Sequence, residues 1–154
     1  MQRPAKRTSD PRQRAKAAGY RSGLEEVTAQ DLTASGAAFE FETFKVAYTV
    51  PERRAKYTPD FLLLFNGIIV ETKGRFVTAD RQKHILLKEQ HPDIDIRFVF
   101  SNPSEKISKT SKTTYAMWCQ KHGFKFARKR IPPEWLAEPP EPRRFAAIEK
   151  AKSK

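Results

Sequence analysis

Cysteine occurs once in the 154 residues, at Cys119, which excludes an internal disulfide and a zinc site built from several thiolates. The apolar helical run around Trp118 makes that thiol a core group, not a nucleophile. Long apolar stretches are missing as well. No run nears the ~18 residues of a membrane-spanning helix and no leader pattern is recognisable, so the chain is expected to be soluble and intracellular. Histidine is scarce, and His84, His91 and His122 lack metal-ligand spacing; each reads as a helix-end or surface residue. Acidic residues are the last shortage: 18 Asp and Glu against 30 Lys and Arg leave a net charge of +12.

That excess is concentrated at the ends. Residues 1–21 carry seven cations (Arg3, Lys6, Arg7, Arg12, Arg14, Lys16 and Arg21) against one acid, and residues 125–154 carry nine against four. Residues 22–124 are nearly balanced, with 14 against 13. Basic arms flanking a neutral body suit a polyanion, with nucleic acid the leading partner. An anionic membrane is the rival, but no segment shows a basic amphipathic helix with a broad apolar face.

Three parts follow: a basic, flexible arm at 1–19, a folded domain at 20–138 and a basic, proline-containing tail at 139–154, held extended by its prolines. Ser22-Gly23-Leu24-Glu25 is a capping-box signature opening a helix that Gly36 can close. Residues 39–50 alternate as one long extended run whose phase slips near Thr43, and Pro51 to Lys56 reads as a charged loop. A hairpin at 57–73 is followed by a helix at about 79–90, a strand at 94–100, a helix at about 113–122 capped by Gly123, and a short strand at 124–127. This order predicts an α/β fold, a mixed β-sheet flanked by helices.

Asn66-Gly67 joins two short apolar runs, a strong hairpin signal. A two-residue turn there pairs residues whose numbers sum to 133, so that Leu62 faces Glu71 and Asp60 faces Lys73. Asp60, Glu71 and Lys73 then share one face, with the carboxylates roughly 7–8 Å apart at Cα as diagonal neighbours. Phosphodiester hydrolysis needs an activated water and compensation of phosphoryl charge, and hard cations such as Mg²⁺ take oxygen ligands. Asp60, Glu71 and the backbone carbonyl of Thr72 fit as metal ligands, and Lys73 fits as the group that orients water or stabilises phosphoryl charge. The spacing alone is equally met by an exposed Asp60–Lys73 ion pair with Glu71 as a strand-end charge. Arg75 and Arg81 follow the site and could contact phosphates.

Pro59-Asp60, an apolar run and Glu71-Thr72-Lys73 reproduce the D, E-x-K signature of restriction-endonuclease-like nucleases. Arg21-Ser22-Gly23-Leu24-Glu25, Tyr57-Thr58-Pro59-Asp60-Phe61-Leu62-Leu63, Val70-Glu71-Thr72-Lys73-Gly74, Glu89-Gln90-His91-Pro92 and Lys121-His122-Gly123 narrow the likeness. Over about residues 20–138 the chain resembles the endonuclease I family of T-seven type phages, enzymes that resolve Holliday junctions. The resemblance implies a restriction-endonuclease-like core in a domain-swapped homodimer. It also implies paired nicking of branched DNA, four-way junctions, with Mg²⁺ or Mn²⁺, in the host cytoplasm if phage-encoded. Asp60, Glu71 and Lys73 take the catalytic places, joined by Glu25 from the partner chain, and the 39–50 run becomes a strand bridging the two halves. On sequence alone Glu25 also reads as a capping-box acceptor at Ser22. A sequence-specific or nicking nuclease, and a non-catalytic DNA-binding protein, remain alternatives. Against the family pattern this hairpin has one additional residue, Leu64-Phe65 standing where relatives have a single proline, which leaves the 133-sum register open to revision.

Overall fold

Ser22 caps the first helix among the described residues as its sequence predicts: its Oγ accepts the Glu25 N–H at 3.1 Å, and α1 runs Gly23–Ala34. The protein is described here by a computed structural model covering residues 19, 20 and 22–152. The predicted DNA contacts at Arg3, Lys6, Arg7, Arg12, Arg14, Lys16 and Arg21 lie outside the described residues.

The predicted 39–50 run is two strands, β1 (Phe39–Phe41) and β2 (Val46–Val50). The phase slip is a break at Glu42, whose φ of 51° lies in the left-handed region. Residues 53–56, expected in a loop, join Tyr57 in β3 (Arg53–Tyr57), which pairs with β2 from Val46↔Tyr57 to Val50↔Arg53. The hairpin strands are β4 (Phe61–Leu63) and β5 (Ile69–Lys73), followed by α2 (Thr78–Gln90), β6 (Ile96–Phe100), α3 (Tyr115–His122) and β7 (Phe126–Arg128). Thr114 caps α3 through the Met117 N–H, and Gly123 ends it at φ 76°, where glycine has no Cβ to clash.

The proline-rich end is helical, correcting the expectation of an extended tail: α4 spans Pro133–Ala137 and α5 spans Pro142–Ala151. Both helices begin with proline at the first position, where its missing N–H costs no hydrogen bond. The α5 helix is amphipathic, and Ile148 and Ala151 on its apolar face are buried against the body.

Five strands form one mixed sheet in the order β1-β4-β5-β6-β7, antiparallel through β5 and parallel from β5 to β7. The β2–β3 ribbon stands apart as a two-stranded sheet. Alternation along the strands divides the core. Phe61, Leu63, Val70 and Val99 pack with Ala29 and Leu32 of α1 and with Trp135, while Leu62, Ile69, Phe98 and Phe100 pack with α2, α3, the ribbon and Ile148. Burial on both faces explains the near-continuous apolar runs of β4 and β6. None of the helices among the described residues is long and apolar enough to cross a membrane.

The hairpin register is shifted by two from expectation. Phe61 pairs with Val70 and Leu62 with Ile69, so partner numbers sum to 131, and Leu63 N–H donates to the Ile68 carbonyl at 2.9 Å. Residues 64–67 form the loop, with Gly67 at φ 80°. The cause is Asn66, which is buried within that loop instead of forming a two-residue turn with Gly67. Its Nδ2 donates to the Trp135 carbonyl at 2.7 Å and the Glu138 carbonyl at 3.2 Å, while its Oδ1 accepts the Ile68 N–H at 3.2 Å. An even shift preserves the face assignment but places Asp60 opposite Glu71 instead of Lys73.

Candidate active site

At the sheet end away from that loop, Asp60 and Glu71 are 6% and 2% exposed. Glu71 Oε1 accepts the Asp60 backbone N–H at 2.9 Å. Asp60 Oδ2 in turn accepts both the N–H and the Oγ1–H of Thr72 at 3.0 Å. Neighbouring carbonyls alternate in direction along a strand. Since the Lys73 carbonyl accepts from Ser101 on the β6 side, the Thr72 carbonyl is directed to the Asp60 side.

Burial and the neighbouring Asp60 charge raise Glu71 to a pKa of about 8, against the lowering effects of Lys73, the Tyr57 hydroxyl and the Asp60 N–H. Lys73 Nζ lies 3.7 Å from Glu71 Oε2 and 3.6 Å from Asp80 Oδ1, while Lys83 reaches the same Asp80 oxygen at 3.7 Å. The predicted Asp60–Lys73 pairing is therefore replaced by a Glu71–Lys73–Asp80 chain.

His84 is not the surface or helix-end residue expected from sequence. It is fully buried in mid-helix, edge-on to Tyr57 and Phe98. Burial, with help from Lys83 and Lys73, holds its pKa well below the ordinary range. Its 4.0 Å approach to Glu71 Oε2 is thus a neutral contact, not an ion pair. His91 is the helix-end residue expected, with Nε2 2.7 Å from the Ala47 carbonyl. Cys119 is a buried core thiol, pushed up to about 12 by burial.

Glu25 is brought to the site within a single chain. One carboxylate oxygen each from Glu25, Glu42 and Asp60 lies within 4.8 Å of the others. Three hard oxygen donors at that spacing fit a divalent cation of the Mg²⁺ or Mn²⁺ type. Glu42 is the residue that sequence reasoning missed. Its signal was the phase slip beside Thr43: the left-handed turn at Glu42 follows β1, and the Glu42 N–H donates to the Asp60 carbonyl at 3.0 Å.

Of the predicted phosphate contacts, Arg75 is exposed near the site. Arg81 is committed to local structure, donating to the Phe76 carbonyl at 2.5 Å and to Thr78 Oγ1 at 2.9 Å at the start of α2.

The family described as Phage endonuclease I matches residues 7–154. The chain belongs to the Phage endonuclease I family. It is 52% identical over 124 residues to Endonuclease I of Escherichia phage T7, covering 80% of this chain and 83% of that protein. It is 46% identical over 135 residues to Endodeoxyribonuclease 1 of Enterobacteria phage T3, covering 88% and 86%. Within this endonuclease family, carboxylates gathered around Asp60 suit the chemistry the family name describes.

Proposed function

We propose that the chain is a divalent-metal-dependent DNA endonuclease on a restriction-endonuclease-like core, which resolves four-way junctions by paired nicks. The observation that carries this reading is the convergence of Glu25, Glu42, Asp60, Glu71 and Lys73 at one sheet end. Glu25, Glu42, Asp60 and Glu71, with the Thr72 carbonyl, would hold Mg²⁺ or Mn²⁺. When bound, such a cation acts as a Lewis acid that favours a hydroxide nucleophile and offsets phosphoryl charge.

The protein's own part is positioning. Thr72 fixes the Asp60 carboxylate through two hydrogen bonds on Oδ2, leaving Oδ1 for a ligand. Asp80 holds the Lys73 ammonium beside Glu71, where a positive charge stabilises the phosphoryl oxygens or orients water. Buried aromatic and aliphatic groups behind the site keep the local dielectric low, which strengthens each of these interactions.

Resolving a junction takes two cuts, and a homodimer supplies two sites. Opening the turn at Pro51-Glu52 would pass α1, β1 and β2 to a second copy, so that Glu25 and Glu42 come together from the partner chain. The β2 strand is then the bridge between the two halves.

The test is incubation with a labelled four-way junction and a matched linear duplex, in Mg²⁺ and in chelator. Paired nicks in the junction only, and only with metal, are expected. Equal cutting of both substrates contradicts junction selectivity, and tight binding without cutting contradicts the enzyme. Mixing Glu25→Ala with Asp60→Ala chains should restore one site per heterodimer; no rescue contradicts the exchanged arrangement.

A further inference from the structure

The β2–β3 ribbon is rooted in the site at both feet: Glu42 lies just before β2 and Asp60 just after β3. Its inward side is apolar, with Val46, Tyr48 and Tyr57 buried in the core. Lys45 precedes β2 in the phase of its outward side, which presents Ala47 and Thr49 opposite Lys56 and Arg54. All five residues are exposed. This outward face therefore carries Lys45, Arg54 and Lys56 with two small residues and no carboxylate. The one acid in 45–57, Glu52, sits in the turn. Residues 22–124 are otherwise close to neutral, so the face is a local concentration of charge.

The ribbon is also held in place. Gln90 presents its side-chain amide to Thr49 as a neighbouring strand would, accepting the Thr49 N–H and donating to the Thr49 carbonyl, each at 2.6 Å. His91 meets the Ala47 carbonyl, and Lys152 bridges to Val46. These contacts occupy the outer edge of β2 and disfavour an added strand as the partner. What remains open is the side-chain face.

We propose that Lys45, Arg54 and Lys56 form a rigid basic finger that grips the phosphate backbone of the duplex arm next to the scissile phosphate. Five residues of strand span about 17 Å, roughly half a turn of duplex. Lys56 stands four residues from Asp60, about 13 Å of extended chain, so the contacts fall on the same arm as the cut. Strand exchange at Pro51-Glu52 preserves the face, because residues paired within one chain are then paired between two. The inference rests on the DNA endonuclease reading and adds to it where the substrate arm lies.

The test is junction affinity in chelator from 50 to 300 mM salt (roughly the range over which phosphate contacts are lost), for the native chain and for Arg54→Ala/Lys56→Ala. Each phosphate contact contributes about 0.9 to the slope of log affinity against log salt, so the slope should fall by roughly 2. Affinity near physiological salt should drop on the order of tenfold or more. Arg54→Lys/Lys56→Arg should keep the slope, as should Lys109→Ala/Lys112→Ala on the exposed 104–113 loop. An unchanged slope in the first variant, with an unchanged melting temperature, overturns the finger. So does a change in sedimentation without a change in slope, which would make the face a contact between copies. If the native chain binds neither junction nor duplex, the endonuclease reading itself falls. Native binding with an unaltered variant slope removes the finger alone.

Discussion

Glu71 accepts the backbone N–H of the residue directly across the hairpin, Asp60, while its other oxygen faces Lys73. A buried carboxyl next to a second carboxylate holds its proton, which is why Glu71 titrates at about 8. A metal ligand must give that proton up, so cation binding is linked to pH. Mn²⁺ affinity should rise from pH 6 towards pH 8, by at most about tenfold per unit, and level off above it. Calorimetry in buffers of different ionisation enthalpy should detect proton release at pH 7. The same shift acts on stability. The folded state holds more protons than the unfolded state between the ordinary Glu range and about 8, so without metal this group's favourable contribution is present at low pH and is lost as pH rises through that window. Glu71→Gln should therefore stabilise the metal-free protein at pH 8 and have little effect at pH 4, as read by urea melts.

Glu42 is expected to bind metal even though it lies outside the D, E-x-K signature. Glu42→Gln should weaken Mn²⁺ binding on the order of tenfold, since affinity follows the charge of the ligand set. Its melting temperature without metal should be unchanged or raised, because one of three adjacent carboxylates is neutralised. Titration followed by Mn²⁺ electron paramagnetic resonance checks this, and unchanged affinity would remove Glu42 from the site.

Arg97, 1% exposed, joins the sheet to the C-terminal segment. Its guanidinium pairs with Asp95 and, at 2.7 and 2.8 Å, with both oxygens of Glu138, and lies 5.4 Å from the centre of the Trp135 ring. Arg97→Ala removes a buried side chain together with its pairs to Asp95 and Glu138, so it should be clearly destabilising in chemical melts. The Arg97 hydrogen bonds hold Glu138 down at about 2. Its contribution is therefore present above the ordinary Glu range and is lost as pH falls towards 2. Glu138→Gln should flatten that acid limb.

Much of the candidate site was legible in the sequence because its parts are local. Ser22 and Gly123 mark helix ends through their own chemistry, and Asp60, Glu71 and Lys73 follow a strand period. The missed features depend on distant partners. Asn66 resembles a turn residue until Trp135 and Glu138 recruit its side chain, which widens the loop and shifts the register. Arg53 to Lys56 looks like a loop because only Ala55 and Tyr57 turn inward. Pro133 and Pro142 read as breakers, yet each starts a helix. His84 carried no polar partner pattern to announce its burial among aromatics.

In the proposed mechanism, carboxylates around Asp60 perform metal-dependent cleavage of branched DNA. The decisive measurement is single-turnover cutting of a labelled four-way junction in Mg²⁺ by the native chain and by Asp60→Ala, with binding measured in chelator. The expected result is a loss of cleavage of at least about a hundredfold with junction affinity retained. Cleavage by Asp60→Ala at the native rate would exclude Asp60 from the chemistry.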